Sequence, residues 1–358
     1  KSKKYNYIKL SRRYKNAEAP LFKTIDMKKE KKKILALQTI NEIKKNIILN
    51  KQSLLLINRR GYAPIQVCIN CGTSIKCKHC STNMVLHKNK NILLCHHCGA
   101  KQEITQNCET CKSKNSIIEL GFGVEKVYEE VKKIFKDEKV VVLSSDTIDK
   151  DSFSKTLKDI EENKINIIIG TQIISKGFDF SHLTKVFMLD FDMWFYNSDL
   201  RTTERTFQLT EQISGRAGRR NIQGEVYIQT YDTRNKLLEQ IIKKNRDLFY
   251  EEELIRRNVS SLPPFIKIAA IILSGEVLKQ VEKSALDLVS YLKQNYALEI
   301  LGPIPAPIHF LRHKYRFRLL LKSKKVFYIQ KCLQETLLGY KYNKKIKLKI
   351  DIDPYSFF

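Results

Sequence analysis

Apolar and polar positions along the chain follow two rhythms. Ser53–Asn58 (SLLLIN) is a continuous apolar run, as expected of a strand covered on both faces. Val124, Val127, Val131, Ile134 and Phe135 recur at helical spacing and predict a helix with one apolar stripe. A strand at 139–146, a helix at 150–163 and a strand at 165–172 come next. They are followed by a strand at Val186–Asp192, a helix at 201–213 and a strand at 224–230. Such alternation predicts an α/β fold, an open and mostly parallel sheet with helices on both faces. Working residues in such sheets gather on loops at the strand C-termini. Gly121–Gly123, Gly170–Phe180 and Asp190–Arg201 are expected there.

Beyond Tyr231 the rhythm changes. A charged helical stretch (235–257) runs into Pro263-Pro264, which no helix continues through. Strand 266–273, helix 277–296, strand 298–301, a Pro-rich turn, strand 316–322, helix 326–338 and strand 345–352 complete the chain. That β-α-β-β-α-β order predicts a separate, ferredoxin-like α+β domain. The expected organisation is a linker at 1–50, a sheet domain at 51–66 and 112–232, an inserted module at 67–111, and the α+β domain at 233–358.

Charge narrows the class. Of 358 residues, 65 are Lys or Arg and 38 are Asp or Glu, a net charge of +27 that points to a polyanionic partner, most simply nucleic acid. A solvated lysine face arising from an AT-rich coding bias is the competing explanation. No apolar run reaches transmembrane length and no signal-peptide core is present, so a soluble, cytoplasmic chain with no membrane partner is expected. The sequence begins at Lys1, which fits a fragment or a processed product.

Eight of the nine cysteines lie between Cys68 and Cys111, as four Cys-x-x-Cys pairs. Two-residue spacing lets one knuckle turn present both sulfurs to one ion, and a cytoplasmic chain does not keep eight thiols as disulfides. Two Cys₄ zinc sites are therefore expected, with disulfides or an iron–sulfur cluster as the competing assignments. Short strands at Met84–His87 and Ile92–Leu94 form a hairpin with a knuckle at each end, which is a zinc ribbon. Cys77, Cys80, Cys95 and Cys98 would then share one zinc, and Cys68, Cys71, Cys108 and Cys111 would close a second around it. A cross-braced pairing is the alternative. His79, His96 and His97 could also ligate, although eight thiolates already fill two sites. Cys332 reads as a small core residue.

Arg216 and Arg219 sit three apart between glycines, just past the helix that ends near Ile213. Guanidinium forks of this kind match phosphate oxygens bidentately. Yet none of the 13 glycines starts a G-x-x-x-x-G-K-[ST] phosphate loop. A helix C-cap with surface arginines is the simpler account of the same residues. Likewise, Gly170–Phe180 could be a strand ending in a turn with Lys176 solvated, and Arg59 and Arg60 could be surface charge. Arg312–Phe317 (RHKYRF) interleaves Arg312 and Arg316 with Tyr315 and Phe317, offering phosphate contacts beside a stacking surface. An edge strand guarded by charge would look the same. Trp194 reads as a packed aromatic.

The order of NRRGYAP, the four cysteine pairs, GFGVEK, IGTQIISKGFDF, LDFDMWFYNSDLRTTERTFQLTEQISGRAGR, LPPF, LGPIPAP and DIDP resembles the PriA family of bacterial primosomal replication-restart DNA helicases, in superfamily two. The resemblance runs over essentially the whole chain. It implies a recombinase-like second motor lobe, with the phosphate loop and D-E-x-H box supplied by a first lobe that the chain largely lacks. Gln212, Arg216 and Arg219 match the Q-x-x-G-R-x-G-R motif, whose arginines would stabilise the transferring phosphoryl group of ATP. Gly170, Thr171, Gln172, Lys176, Gly177 and Asp179 match the motif that couples nucleotide state to DNA contact, and Arg59 and Arg60 fall in a loop that would contact the DNA backbone. The resemblance further implies ATP and Mg²⁺ as cofactors of the complete enzyme, 3′-to-5′ translocation, and binding to branched and single-stranded DNA. Implied partners are primosome proteins, the single-stranded-DNA-binding protein and the machinery that loads the replicative helicase. A non-catalytic, zinc-dependent DNA-binding scaffold is the rival reading.

Overall fold

The computed structural model describes residues 18–30, 34–57, 65–78, 83–87, 92–95, 99–120, 124–143, 150–171, 180–194, 200–218, 222–325, 327–341 and 343–355. They fall into two compact units. The first lies within Lys1–Arg60, Phe122–Asp192 and Thr206–Ile242, and the second within Gly61–Gly121, Met193–Arg205 and Lys243–Phe358.

The first unit is built on a six-stranded parallel sheet. Its strands are β1 (Leu21–Asp26), β2 (Gln52–Leu56), β8 (Val140–Leu143), β9 (Ile167–Gly170), β10 (Leu183–Met188) and β11 (Glu225–Thr230). They lie side by side in the order β1-β11-β10-β2-β9-β8, each pair parallel. Burial follows that order. The central strands β2, β9 and β10 are buried at every position, whereas β1 alternates exposed and half-buried residues up to the buried Ile25. Continuous apolar runs suit strands covered on both faces, and a polar, lysine-bearing strand suits an edge. The helices of this unit are α1 (Leu37–Ile48), α2 (Val124–Ile134), α3 (Lys150–Glu161), most of α4 (Thr202–Ser214) and α5 (Lys236–Lys243).

Residues 21–48, expected to be a linker, are instead part of this sheet domain. The reason is a set of buried polar contacts that pattern alone does not reveal. Gln229 of β11 accepts hydrogen bonds from Ala36 N (3.0 Å) and Thr39 Oγ1 (2.6 Å) and donates to Ile34 O (2.8 Å), so it satisfies the start of α1, which has no side-chain cap of its own. At the other end of α1, Asn46 donates to Gln52 O and Ser53 Oγ and accepts from Thr184. Glu42 pairs with Lys185, which also lies 3.6 Å from Glu225.

The second unit holds the cysteine module and the α+β domain. Residues 117–120, expected within the sheet domain at 112–232, do not join the parallel sheet. β7 (Ile117–Leu120) pairs antiparallel with β3 (Ile65–Cys68) at the base of the module. The ribbon hairpin forms as expected from β4 (Val85–His87) and β5 (Ile92–Leu94), and β6 (Lys101–Glu103) adds a third strand. After α6 (Arg246–Val259) come β12 (Lys267–Gly275), α7 (Leu278–Asn295), β13 (Glu299–Leu311), β14 (Lys314–Ser323), α8 (Tyr328–Gly339) and β15 (Lys347–Ile352). The sheet order β13-β14-β12-β15, with all pairs antiparallel, is that of a ferredoxin-like fold. One sheet face packs on α7 and α8 through Ala269, Ile271, Leu273, Phe317, Leu319 and Leu321. The Pro-rich stretch expected as a turn is part of β13. Its prolines at 303, 305 and 307 fall on alternate positions of an edge strand, where a missing donor is tolerated.

Candidate nucleotide-facing turn and metal centre

Helix α4 ends at Ser214, and Gly215–Gly218 turn the chain back toward β11. Gly218 adopts φ +74°, a conformation side chains resist, and its N–H donates to Leu183 O (3.0 Å) at the start of β10. A Cβ on Gly218 would lie 2.1 Å from Gly224 N, and a Cβ on Gly224 would lie 2.2 Å from Ala217 C. The turn carrying Arg216 is thus pressed, backbone to backbone, against the segment that begins β11. Gln212 is exposed on the last turn of α4, and Arg216 is half-buried four residues on. Arg219 lies outside the described residues.

Leu183 is a junction. Leu183 N donates to Phe180 O (3.2 Å), so the end of the Gly170–Phe180 stretch and the arginine-bearing turn meet at the N-terminal end of β10. Gly170 and Thr171 begin that stretch at the opposite end of the sheet, at the C-terminus of β9, where Thr171 N donates to Leu143 O (3.3 Å). Only the Gly170–Thr171 end of the stretch therefore lies at a strand C-terminus; its Phe180 end and the arginine turn do not. Gln172, Lys176, Gly177 and Asp179 lie between, outside the described residues, as do Arg59, Arg60 and Gly121–Gly123.

Two carboxylates sit at the C-terminal end of β10. Asp192 accepts from Thr230 Oγ1 (2.6 Å), Tyr231 N (2.8 Å) and Asp232 N (3.2 Å), tying β10 to β11. Asp190 is buried at φ +49° with no hydrogen-bond partner for Oδ1 among the described residues, and burial, then the Asp192 charge, holds its carboxyl well above the usual range. Trp194 is fully buried, consistent with a packed aromatic rather than a stacking surface.

The metal centre is the sharpest geometry in the second unit. The sulfurs of Cys68, Cys71, Cys108 and Cys111 all lie within 4.8 Å of one another. Cys68 and Cys111 are 3.6 Å apart, as are Cys71 and Cys108. A tetrahedral zinc with sulfurs at about 2.3 Å needs them about 3.8 Å apart, so this donor set fits the ion. Each pair rides a knuckle closed by backbone bonds: Gly72 N to Cys68 O (2.9 Å), and Cys108 N to Ser113 O (2.9 Å). The residue after each knuckle, Gly72 or Lys112, has positive φ. Ser113, through its hydroxyl and its backbone, lowers the Cys111 thiol to about 6, toward the thiolate that binds metal. Ser113 and Ser116, whose Oγ lies 3.4 Å from Cys68 Sγ, have only their placement two and five residues past Cys111 as a signal in the sequence. In the ribbon, Cys77 and Cys95 are buried in one small cluster with Met84 and Leu93, and Gly99 closes the second knuckle through its N–H to Cys95 O (2.8 Å). Cys80 and Cys98, with His79, His96 and His97, lie outside the described residues.

Arg312 and His313 form the two-residue turn between β13 and β14, both at positive φ (51° and 61°), as a type I′ hairpin requires. Arg316 lies on β14, where its carbonyl O is 3.2 Å from His309 Nδ1. The expected stacking partner Phe317 is 5% exposed and belongs to the core beneath the helices. Phe310, 51% exposed and 4.8 Å from Tyr315 by ring centroids, is the aromatic on the hairpin surface instead. Strand alternation turns Phe317 inward, and the extra length of β13 brings Phe310 into play.

The chain matches two family models: the PriA DNA helicase Cys-rich region domain over residues 77–102 and the Primosomal protein N C-terminal domain over residues 259–355. It is similar to the replication restart protein PriA of Rickettsia conorii, at 40% identity over 99% of this chain and 55% of that protein. The replication restart protein PriA of Bacillus subtilis is 31% identical over 98% of this chain and 45% of its own length. The chain therefore spans about half the length of the curated relatives it matches. Among solved structures, yeast Dbp5 bound to RNA and ADP BeF3 overlaps 68% of this chain and 45% of its own, at 12% identity and a TM-score of 0.33. Among the described residues, no helix is long and apolar enough to cross a membrane.

Proposed function

The chain belongs to the PriA family of replication restart proteins, and on that premise we propose that it is the arginine-supplying part of an ATP-dependent DNA helicase. In the complete protein, ATP and Mg²⁺ are held by residues outside this chain, and Gln212, Arg216 and Arg219 reach that nucleotide. The arginines stabilise charge on the γ-phosphoryl group as it transfers, a contribution made in the transition state rather than in ground-state binding. The observation that supports this reading is the Leu183 junction, where the backbone of one residue accepts from the arginine turn through its C=O and donates to the Phe180 end of the Gly170–Phe180 stretch through its N–H. Through it, Gly170, Thr171, Gln172, Lys176, Gly177 and Asp179 would relate nucleotide state to DNA.

The activity proposed for the complete protein is 3′-to-5′ translocation on single-stranded DNA and recognition of branched DNA at stalled forks. It would reload replication through primosome proteins, single-stranded-DNA-binding protein and the replicative helicase loading machinery, in the bacterial cytoplasm at the nucleoid. Two zinc ions per chain are proposed, one on Cys68, Cys71, Cys108 and Cys111 and one on Cys77, Cys80, Cys95 and Cys98. Arg59, Arg60, Arg312 and Arg316 would contact the DNA backbone, with Phe310 beside the hairpin arginines. In the proposed division the cysteine module extends over 61–121, beyond the expected 67–111, and the α+β domain begins near Lys243 rather than at 233. The test is phosphate release by the purified chain with ATP, Mg²⁺ and forked DNA. DNA binding without turnover is expected; turnover above background would place the phosphate site inside this chain.

A further inference from the structure

The hairpin that joins β13 to β14 is not built as folding alone would build it. Its turn residues, Arg312 and His313, both hold positive φ, 51° and 61°. Asn-Gly occupies such a turn with the least strain, because most L-residues crowd their own backbone in the left-handed region. Arg-His keeps that strain and gains a cation and an imidazole at the tip, and strain held at one spot is commonly tied to function. Within the hairpin no carboxylate offsets the charge. No Asp or Glu occurs from Ile300 to Gln334, and Arg312 and Lys314 are both exposed. Glu276 follows Gly275, the residue of β12 paired with Tyr315, and so lies across β14 from the edge strand β13.

The two strands leading to this tip carry a row of rings. His309 stands 5.5 Å from Phe317 and 5.6 Å from Tyr315 by ring centroids. Phe310 stands 4.8 Å from Tyr315, its cross-strand partner, and 6.3 Å from His313. The pairing register shifts between Pro305 and Phe310, and that irregularity lets the neighbours His309 and Phe310 both reach Tyr315. The row is anchored at one end and open at the other. Phe317 belongs to the core under α7 and α8, Tyr315 is partly buried against that core, and Phe310 is 51% exposed. Phe310 therefore offers an aromatic face whose orientation is set before any ligand arrives.

A flat apolar face beside exposed cations matches one chemical unit, a base next to a phosphate. Single strands leave the base faces open to stack on an aromatic ring, and a positively charged surface follows their backbone. A duplex covers those faces with neighbouring bases and offers the hairpin its phosphates alone. We propose that Phe310 stacks on an unpaired base of DNA while Arg312 and Lys314 hold the flanking phosphates, so that this hairpin selects single-stranded DNA over duplex. The inference rests on the reading of the chain as part of a DNA helicase. Phe310 is the discriminating residue on this account; the two cations serve both forms of DNA.

The test is binding of the purified, zinc-loaded chain to an oligothymidine of about 15 nucleotides and to a blunt duplex, at one salt concentration. Phe310→Leu keeps an apolar side chain on the strand and removes the ring. It should weaken single-strand binding about tenfold and leave duplex binding within about twofold. Arg312→Ala should weaken both. Phe310→Trp should restore single-strand affinity, and its added fluorescence should be quenched by the oligothymidine and not by the duplex; Trp194, the one native tryptophan, is buried and serves as the background. Arg312→Asn with His313→Gly should raise the urea midpoint while weakening both complexes, because it relieves the turn and removes its cation. Were Phe310 needed only for its pairing with Tyr315, leucine would change both forms alike or neither, and either result overturns the stacking role. Wild-type chain that binds neither form would overturn the DNA reading itself, whereas wild-type binding that Phe310→Leu leaves unchanged would strike the stacking alone.

Discussion

The stretch Gly215-Arg216-Ala217-Gly218 contains two glycines that the fold uses differently, and alanine at each should separate them. At Gly218 the backbone is at φ +74°, where an L-residue costs about 1–2 kcal/mol. The new Cβ would also lie 2.1 Å from Gly224 N and 2.4 Å from Ile222 O. Both are backbone atoms, so the segment that starts β11 must shift, and overpacking of that kind adds about 1–3 kcal/mol. Gly218→Ala should therefore cost about 3 kcal/mol or more, and should displace Arg216 relative to β10. Gly215 has no positive φ, and its Cβ would meet nothing nearer than Gln212 O at 3.4 Å, an ordinary contact. Gly215→Ala should be neutral or should stabilise by about 0.4–1 kcal/mol, through the unfolded chain. Urea unfolding of the two variants at saturating zinc reads the gap directly. Equal stabilities would refute the claim that this turn is fixed by backbone-to-backbone packing.

Three other outcomes are expected. Replacing Cys68 with Ser should release one zinc per chain in a chelator titration and leave the ribbon's ion bound; loss of both ions together would mean the two sites are not separate. Burial tends to raise the Glu42 carboxyl, but Lys185 and Lys45 outweigh it and lower the group to about 2. Because the folded value is depressed, the stabilisation is complete above the ordinary carboxylate range and disappears as pH falls through about 2. Wild type should therefore exceed Glu42→Gln by about 1–2 kcal/mol at pH 7, after allowing for solvent screening, and the gap should close toward pH 2; a gap independent of pH would contradict the pairing. Arg312→Ala with Arg316→Ala should weaken forked-DNA binding and flatten its salt dependence by up to about two units, more than Lys279→Ala with Lys283→Ala on α7. Equal losses from the two pairs would favour diffuse charge over a hairpin site.

Much of the architecture was legible because its signals are local. The apolar runs at β2, β9 and β10 mark strands covered on both faces, and the β-α-β-β-α-β order of the last domain follows from periodicity alone. The outer cysteine pairs come together as the ribbon spacing suggested. What escaped was set by distant partners. The strand β1 alternates like a surface segment and is held by pairing with β11, about two hundred residues away. Gln229 completes α1 from across the same separation. β13 was hidden by prolines that only an edge position accommodates. At the arginine turn the residues were legible, but their seat on Leu183 O and Gly224 was not, because neither partner is chemically distinctive in sequence.

The central claim is that Arg216 acts on ATP held by residues outside this chain. Single-turnover and steady-state hydrolysis by the complete protein, wild type against Arg216→Ala, tests it most directly, with ATP affinity measured separately by binding. Turnover should fall by at least about a thousandfold while ATP affinity changes by less than about tenfold, as expected for a group that acts on the transition state. Turnover within about threefold of wild type, or a loss accounted for entirely by weaker ATP binding, would contradict the account.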